Sequence, residues 1–79
     1  MTTVTVYSTP NCQQCKMTTL ALERHGITYR VINLAENDAA RTFVTEELGY
    51  SQAPVVTIDG QDENHWSGFR PDLINQLEQ

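Results

Sequence analysis

Basic residues are scarce in this chain: five lysines and arginines stand against ten aspartates and glutamates in 79 residues, a net charge of −5. The five are scattered rather than gathered on one predicted face, so nothing draws the chain to a phosphate backbone or an anionic lipid surface. Long apolar runs are also missing; none approaches the ~18 residues of a membrane span. Met1-Thr2-Thr3-Val4 does not begin the basic-then-apolar pattern of a secretory leader. These absences predict a soluble, cytoplasmic protein that binds neither nucleic acid nor membrane. Repeats, linkers and low-complexity tracts are absent too, and the length suits one core, so residues 1–79 are expected to form one domain.

Cysteine is limited to Cys12 and Cys15. A bridge between residues this close removes little freedom from an unfolded chain, which makes a structural staple a poor explanation. In a reducing cytosol a C-x-x-C pair is more often redox-active or metal-binding.

The pattern around the pair places it. Thr3-Val4-Thr5-Val6-Tyr7 alternates as a strand, and Ser8-Thr9-Pro10-Asn11 supplies turn chemistry and a candidate helix cap. From Gln13 to about His25, Met17, Leu20 and Ala21 recur at helical spacing, Leu22 adds apolar area, and Gly26 ends the helix. Tyr7, Met17, Leu20 and Val55 read as core. A second strand, Thr28 to Leu34, is followed by a helix capped at Asn37 or Asp38 and carrying Ala40, Phe43, Val44 and Leu48 before Gly49. Pro54 to Ile58 and Asn64-His65-Trp66 form a hairpin about Asp59-Gly60, and Pro71 opens a last helix, Asp72 to about Glu78, with Leu73, Ile74 and Leu77 on one face. The order β-α-β-α-β-β-α predicts an α/β, thioredoxin-like fold: a four-stranded mixed sheet flanked by three helices, its first two strands parallel.

Cys12 therefore falls at a helix N-terminus, where unpaired N–H groups and the positive helix end favour the thiolate. Three residues on, Cys15 lies on the same face, close enough for a disulfide. Cys12 is expected to attack a target disulfide and Cys15, deeper in the helix, to resolve the mixed disulfide. No cofactor is called for. The alternative of zinc, completed by His25 and His65, matches no zinc-finger spacing, and Lys16 reads as a solvated cation. An inert interaction domain would make no demand on either cysteine.

Three segments together carry a family resemblance: Val6-Tyr7-Ser8-Thr9-Pro10-Asn11-Cys12-Gln13-Gln14-Cys15, Ala53-Pro54-Val55-Val56 and Trp66-Ser67-Gly68-Phe69-Arg70-Pro71-Asp72. The chain resembles the NrdH redoxins, glutaredoxin-like electron donors, over essentially its whole length. The resemblance implies a monomeric thiol–disulfide carrier reduced by thioredoxin reductase and reducing class Ib ribonucleotide reductase. It also implies a cis peptide before Pro54, leaving the Ala53 backbone free to pair with an extended target. Partner-binding residues implied alongside the cysteines are Gln14, Ala53, Pro54, Trp66, Phe69 and Arg70. Trp66 and Phe69 read either as packing between hairpin and last helix or as a docking patch, and Arg70 as a brace for the loop. Gln13-Gln14 differs from the Pro-Tyr common in glutaredoxins, and Trp66 to Pro71 replaces a glycine-rich, acidic glutathione site. A glutathione-dependent glutaredoxin is thus the main alternative, ahead of a metal-binding C-x-x-C module.

Overall fold

The computed structural model describes residues 3–77. Strand β1 (Thr3–Ser8) leads into helix α1 (Gln13–Arg24), strand β2 (Thr28–Asn33), helix α2 (Asp38–Thr42), strands β3 (Val55–Ile58) and β4 (Gln61–Ser67), and helix α3 (Pro71–Leu77). The sheet order is β2-β1-β3-β4, with β1 parallel to β2 and antiparallel to β3, and β3 antiparallel to β4. This is the expected thioredoxin-like arrangement. Glu78, the expected end of the last helix, lies outside the described residues.

Alternation along the central strands assigns the two faces. Val4 and Val6 of β1, with Val56 and Ile58 of β3 and Trp66 of β4, pack under α1 and α3 against Leu22 and Ile74. Tyr7 and Val55 point the other way and meet Leu34, Ala40, Val44 and Phe43 from the α2 side. One polar device crosses the sheet. Buried Thr5 donates from Oγ1 to Asp59 Oδ1 at 3.1 Å and accepts from Arg30 Nε at 3.0 Å, while Arg30 Nη2 donates to Asp59 Oδ2 at 2.8 Å, tying β2, β1 and the hairpin turn together.

Three expectations need correction. Met17 and Leu20 are 41% and 48% exposed rather than core. Cys15, Thr18 and Leu22 are the buried positions of α1, spaced three and four apart, so the helix is rotated to bring the second cysteine inward and Met17 and Leu20 are left on its flank. The helix expected up to Gly49 is divided: beyond α2, residues Phe43–Glu47 form a wider π turn, with Leu48 N–H donating to Phe43 O at 3.1 Å. Thr45 Oγ1 donates to Arg41 O at 2.8 Å, and this competition for a helical carbonyl accompanies the widening. Strand boundaries also shift: Leu34 starts a short 3-10 turn instead of ending β2, Pro54 precedes β3, and β4 runs from Gln61 rather than Asn64.

Candidate active site

The loop from β1 rises to Asn11, whose φ of 60° is a left-handed conformation asparagine tolerates better than most residues, and this turn delivers Cys12 to the start of α1. The helix cap expected within Ser8–Asn11 is supplied instead by Cys12: its Sγ accepts the Cys15 N–H at 3.1 Å. Sulfur thus occupies the position where α1 presents unpaired donors, which is where a thiolate gains most. Cys12 and Cys15 are joined by a disulfide with Cα atoms 5.3 Å apart. Cys12 is half-buried, whereas Cys15 is 6% exposed. The pair is therefore asymmetric: one sulfur can be met from outside, the other is reached through its partner.

Two hollows meet at Thr9, and one of them opens on Cys12. A polar one of about 510 Å³ is lined by Thr9, Asn11, Cys12, Gln13 and Lys16. A largely apolar one of about 370 Å³ runs from Thr9 and Ala53 towards Val44, Tyr50 and Arg41. Ala53-Pro54 is cis. Tyr50, just before this turn, holds its N–H on Val44 O at 2.9 Å and its hydroxyl 2.8 Å from His65 Nδ1, so the approach to Ala53 is braced from both the π turn and β4.

The Ser67–Arg70 loop closes the other side. Gly68 takes a φ of +87°, its N–H donates to Pro54 O at 2.8 Å, and the Phe69 N–H donates to Gln14 Oε1 at 3.2 Å. Residues Gln14, Ala53, Pro54, Gly68 and Phe69 are thereby linked around the dithiol. Gly68 and its contact with Gln14 had no separate place in the sequence reading; glycine within Trp-Ser-Gly-Phe was the signal available. Trp66 stands apart. At 5% exposure its ring lies in the core beneath α1 and α3, which is the packing role of the two read from the sequence, and its buried indole N–H has no hydrogen-bond partner among the described residues. Phe69 is half-buried and lines an open groove of about 340 Å³ with Met17, Leu20 and Pro71.

Arg70 turns its fork onto Asp72, Nε to Oδ1 at 3.2 Å and Nη2 to Oδ2 at 3.0 Å, bracing the entry to α3. The hydrogen bond from Arg70, aided by its charge, holds the Asp72 carboxyl below its ordinary range. A carboxyl depressed in the folded state stabilises above the unfolded value, and that contribution is lost as pH falls through the folded one. The pair is exposed, so the effect is small. As pH falls from about 7 through the carboxylate range, the wild-type melting temperature should fall slightly further than that of Asp72→Asn.

A thioredoxin-like sheet carrying a disulfide-forming C-x-x-C at a helix N-terminus, beside a cis-proline turn, defines the class: a thiol–disulfide oxidoreductase. The Glutaredoxin family model matches residues 4–63. The glutaredoxin-like protein NrdH of Salmonella typhimurium is 40% identical over 75 residues, 94% of this chain and 86% of that protein, and its Lactococcus lactis subsp. cremoris counterpart is 42% identical over 94% and 97%. The solved NrdH-redoxin of Escherichia coli, a protein described by its thioredoxin-like activity profile, superposes with a TM-score of 0.85 at 36% identity over 98% and 96% of the two chains. The chain belongs to the glutaredoxin family, among its NrdH glutaredoxin-like members. No helix among the described residues is long and apolar enough to cross a membrane.

Proposed function

We propose that this protein is a cytoplasmic dithiol electron carrier that takes electrons from thioredoxin reductase and passes them to class Ib ribonucleotide reductase. The observation that carries the reading is the asymmetric pair: an accessible Cys12 sulfur at the open end of α1 and a buried Cys15 one turn inward. In the reduced protein the Cys12 thiolate attacks one sulfur of the target disulfide, forming a mixed disulfide and releasing the other target sulfur as a thiolate. Cys15 then loses its proton and attacks Cys12 Sγ, expelling the remaining target thiolate and leaving the Cys12–Cys15 disulfide. Two electrons have moved to the target, whose sulfurs take up two protons. A reductase dithiol reverses the sequence and restores the carrier.

The choice of donor is supported by the loop opposite the cysteines. The Gly68 and Phe69 N–H groups are already taken by Pro54 O and Gln14 Oε1, so neither is left for the carboxylates of a small acidic thiol such as glutathione. The thioredoxin-like activity profile of the E. coli relative points the same way. The test couples the protein to a disulfide substrate with NADPH and either thioredoxin reductase or glutathione plus glutathione reductase. NADPH should be consumed with thioredoxin reductase alone, and class Ib ribonucleotide reductase should turn over when it is the substrate. Consumption only in the glutathione arm overturns the assignment and makes the protein a glutathione-dependent glutaredoxin.

A further inference from the structure

Gln14 lies between the two cysteines on the first turn of α1 and is exposed, a position where a side chain ordinarily extends into water. Its Oε1 instead accepts the Phe69 backbone N–H at 3.2 Å, across 55 residues of sequence. The same oxygen lies 3.5 Å from where a Cβ would stand on Gly68. A Cβ at that distance would make only ordinary contact, so glycine there serves the left-handed φ of +87°. Gly68 N–H meanwhile holds Pro54 O at 2.8 Å. Two successive N–H groups of one loop are thus divided between the residue inside the dithiol and the cis-proline turn where a target would pair. The loop bridges the two halves of the site, and Gln14 supplies the half that moves with the cysteines.

We propose that Gln14 is a positioning residue for protein disulfides: by holding the Phe69 N–H it keeps the Gly68–Phe69 loop, the Ala53 edge and Cys12 in one pre-set surface onto which a folded partner docks. The inference rests on the dithiol-carrier reading and deepens it. Gln14 touches neither sulfur through a hydrogen bond among the described residues, so its effect falls on docking rather than on sulfur chemistry. Other contacts keep the loop folded without it: Ser67 Oγ donates to Gln52 O at 3.3 Å, Phe69 packs on the α1/α3 core, and Arg70 is held by Asp72. Removing the acceptor loosens the loop's placement relative to Cys12 and leaves the fold standing. A partner then has to order the loop as it binds, which lowers affinity.

The experiment uses the full chain, reduced beforehand with dithiothreitol and freed of it, mixed with increasing oxidised insulin so that rate and half-saturation are read separately. Gln14→Met keeps the length and removes the acceptor, whereas Gln14→Glu keeps an acceptor oxygen. Loss of one hydrogen bond of ordinary net strength predicts a half-saturating concentration raised about fivefold in Gln14→Met, with the maximal rate within about twofold. Gln14→Glu should bring half-saturation back to within about twofold of wild type, even where its added charge slows the maximal rate. Unchanged half-saturation in Gln14→Met, an equal rise in Gln14→Glu, or a fall confined to the maximal rate each overturns the proposal. Failure of the wild-type protein to reduce insulin overturns the carrier reading and this inference with it, whereas failure with thioredoxin reductase alone counts only against the assigned electron donor.

Discussion

Replacing Cys15 by serine should turn the protein into a trap: Cys12 still attacks, the mixed disulfide forms, and nothing resolves it. A one-to-one adduct with a protein disulfide target should then accumulate on non-reducing gels and disappear on addition of dithiothreitol. Cys12→Ser should form no adduct and lose reduction of protein disulfides by on the order of a thousandfold or more, because the hydroxyl is not ionised and Cys15 is 6% exposed. The two variants are unequal because the site is unequal. Cys12 is the half-buried sulfur that caps α1, and Cys15 is the one whose N–H it accepts. Adduct formation by Cys12→Ser and its absence in Cys15→Ser would reverse the assigned order of attack.

The second large effect concerns stability. Leu22 of α1 and Ile74 of α3 are fully buried against Val4, Val6 and Val56. Leu22→Ala or Ile74→Ala should each lower unfolding free energy by about 2–5 kcal/mol, the transfer loss plus the cavity left behind. A small domain has a total of roughly 5–15 kcal/mol, so either variant should shift the urea midpoint far towards zero denaturant. Leu20→Ala is the control. Leu20 is 48% exposed, and its truncation should change stability by less than about 1 kcal/mol. A Leu20→Ala loss as large as that of Leu22→Ala would mean the helix is rotated differently from the arrangement described.

That contrast shows where sequence periodicity stopped being informative. Met17, Leu20, Ala21 and Leu22 offer two overlapping apolar stripes on α1, and spacing alone cannot rank them. The sheet needs only one stripe, and the buried one also carries Cys15 and Thr18, residues no hydropathy pattern singles out. The second helix was legible by its cap, since Asn37 Oδ1 accepts the Ala40 N–H at 2.9 Å, but its widening at Phe43–Glu47 was not. Trp66 shows the same limit: its place in a motif marked it for attention, while its burial beneath two helices decided that it packs.

The sequence by itself determined the order of elements, the parallel pairing of the first two strands, and the placing of Cys12 and Cys15 at a helix start, with Cys15 the deeper of the two. Each of these follows from local chemistry: side-chain alternation, glycine and proline punctuation, and a three-residue spacing that puts two sulfurs on one face. Only the tertiary structure decided which stripe of α1 is buried, that Trp66 lies beneath two helices, and that Gln14 meets the Gly68–Phe69 loop. Those outcomes depend on contacts between residues up to 55 positions apart, set when α1 and the β4–α3 loop pack on one sheet and share out the backbone donors around the dithiol.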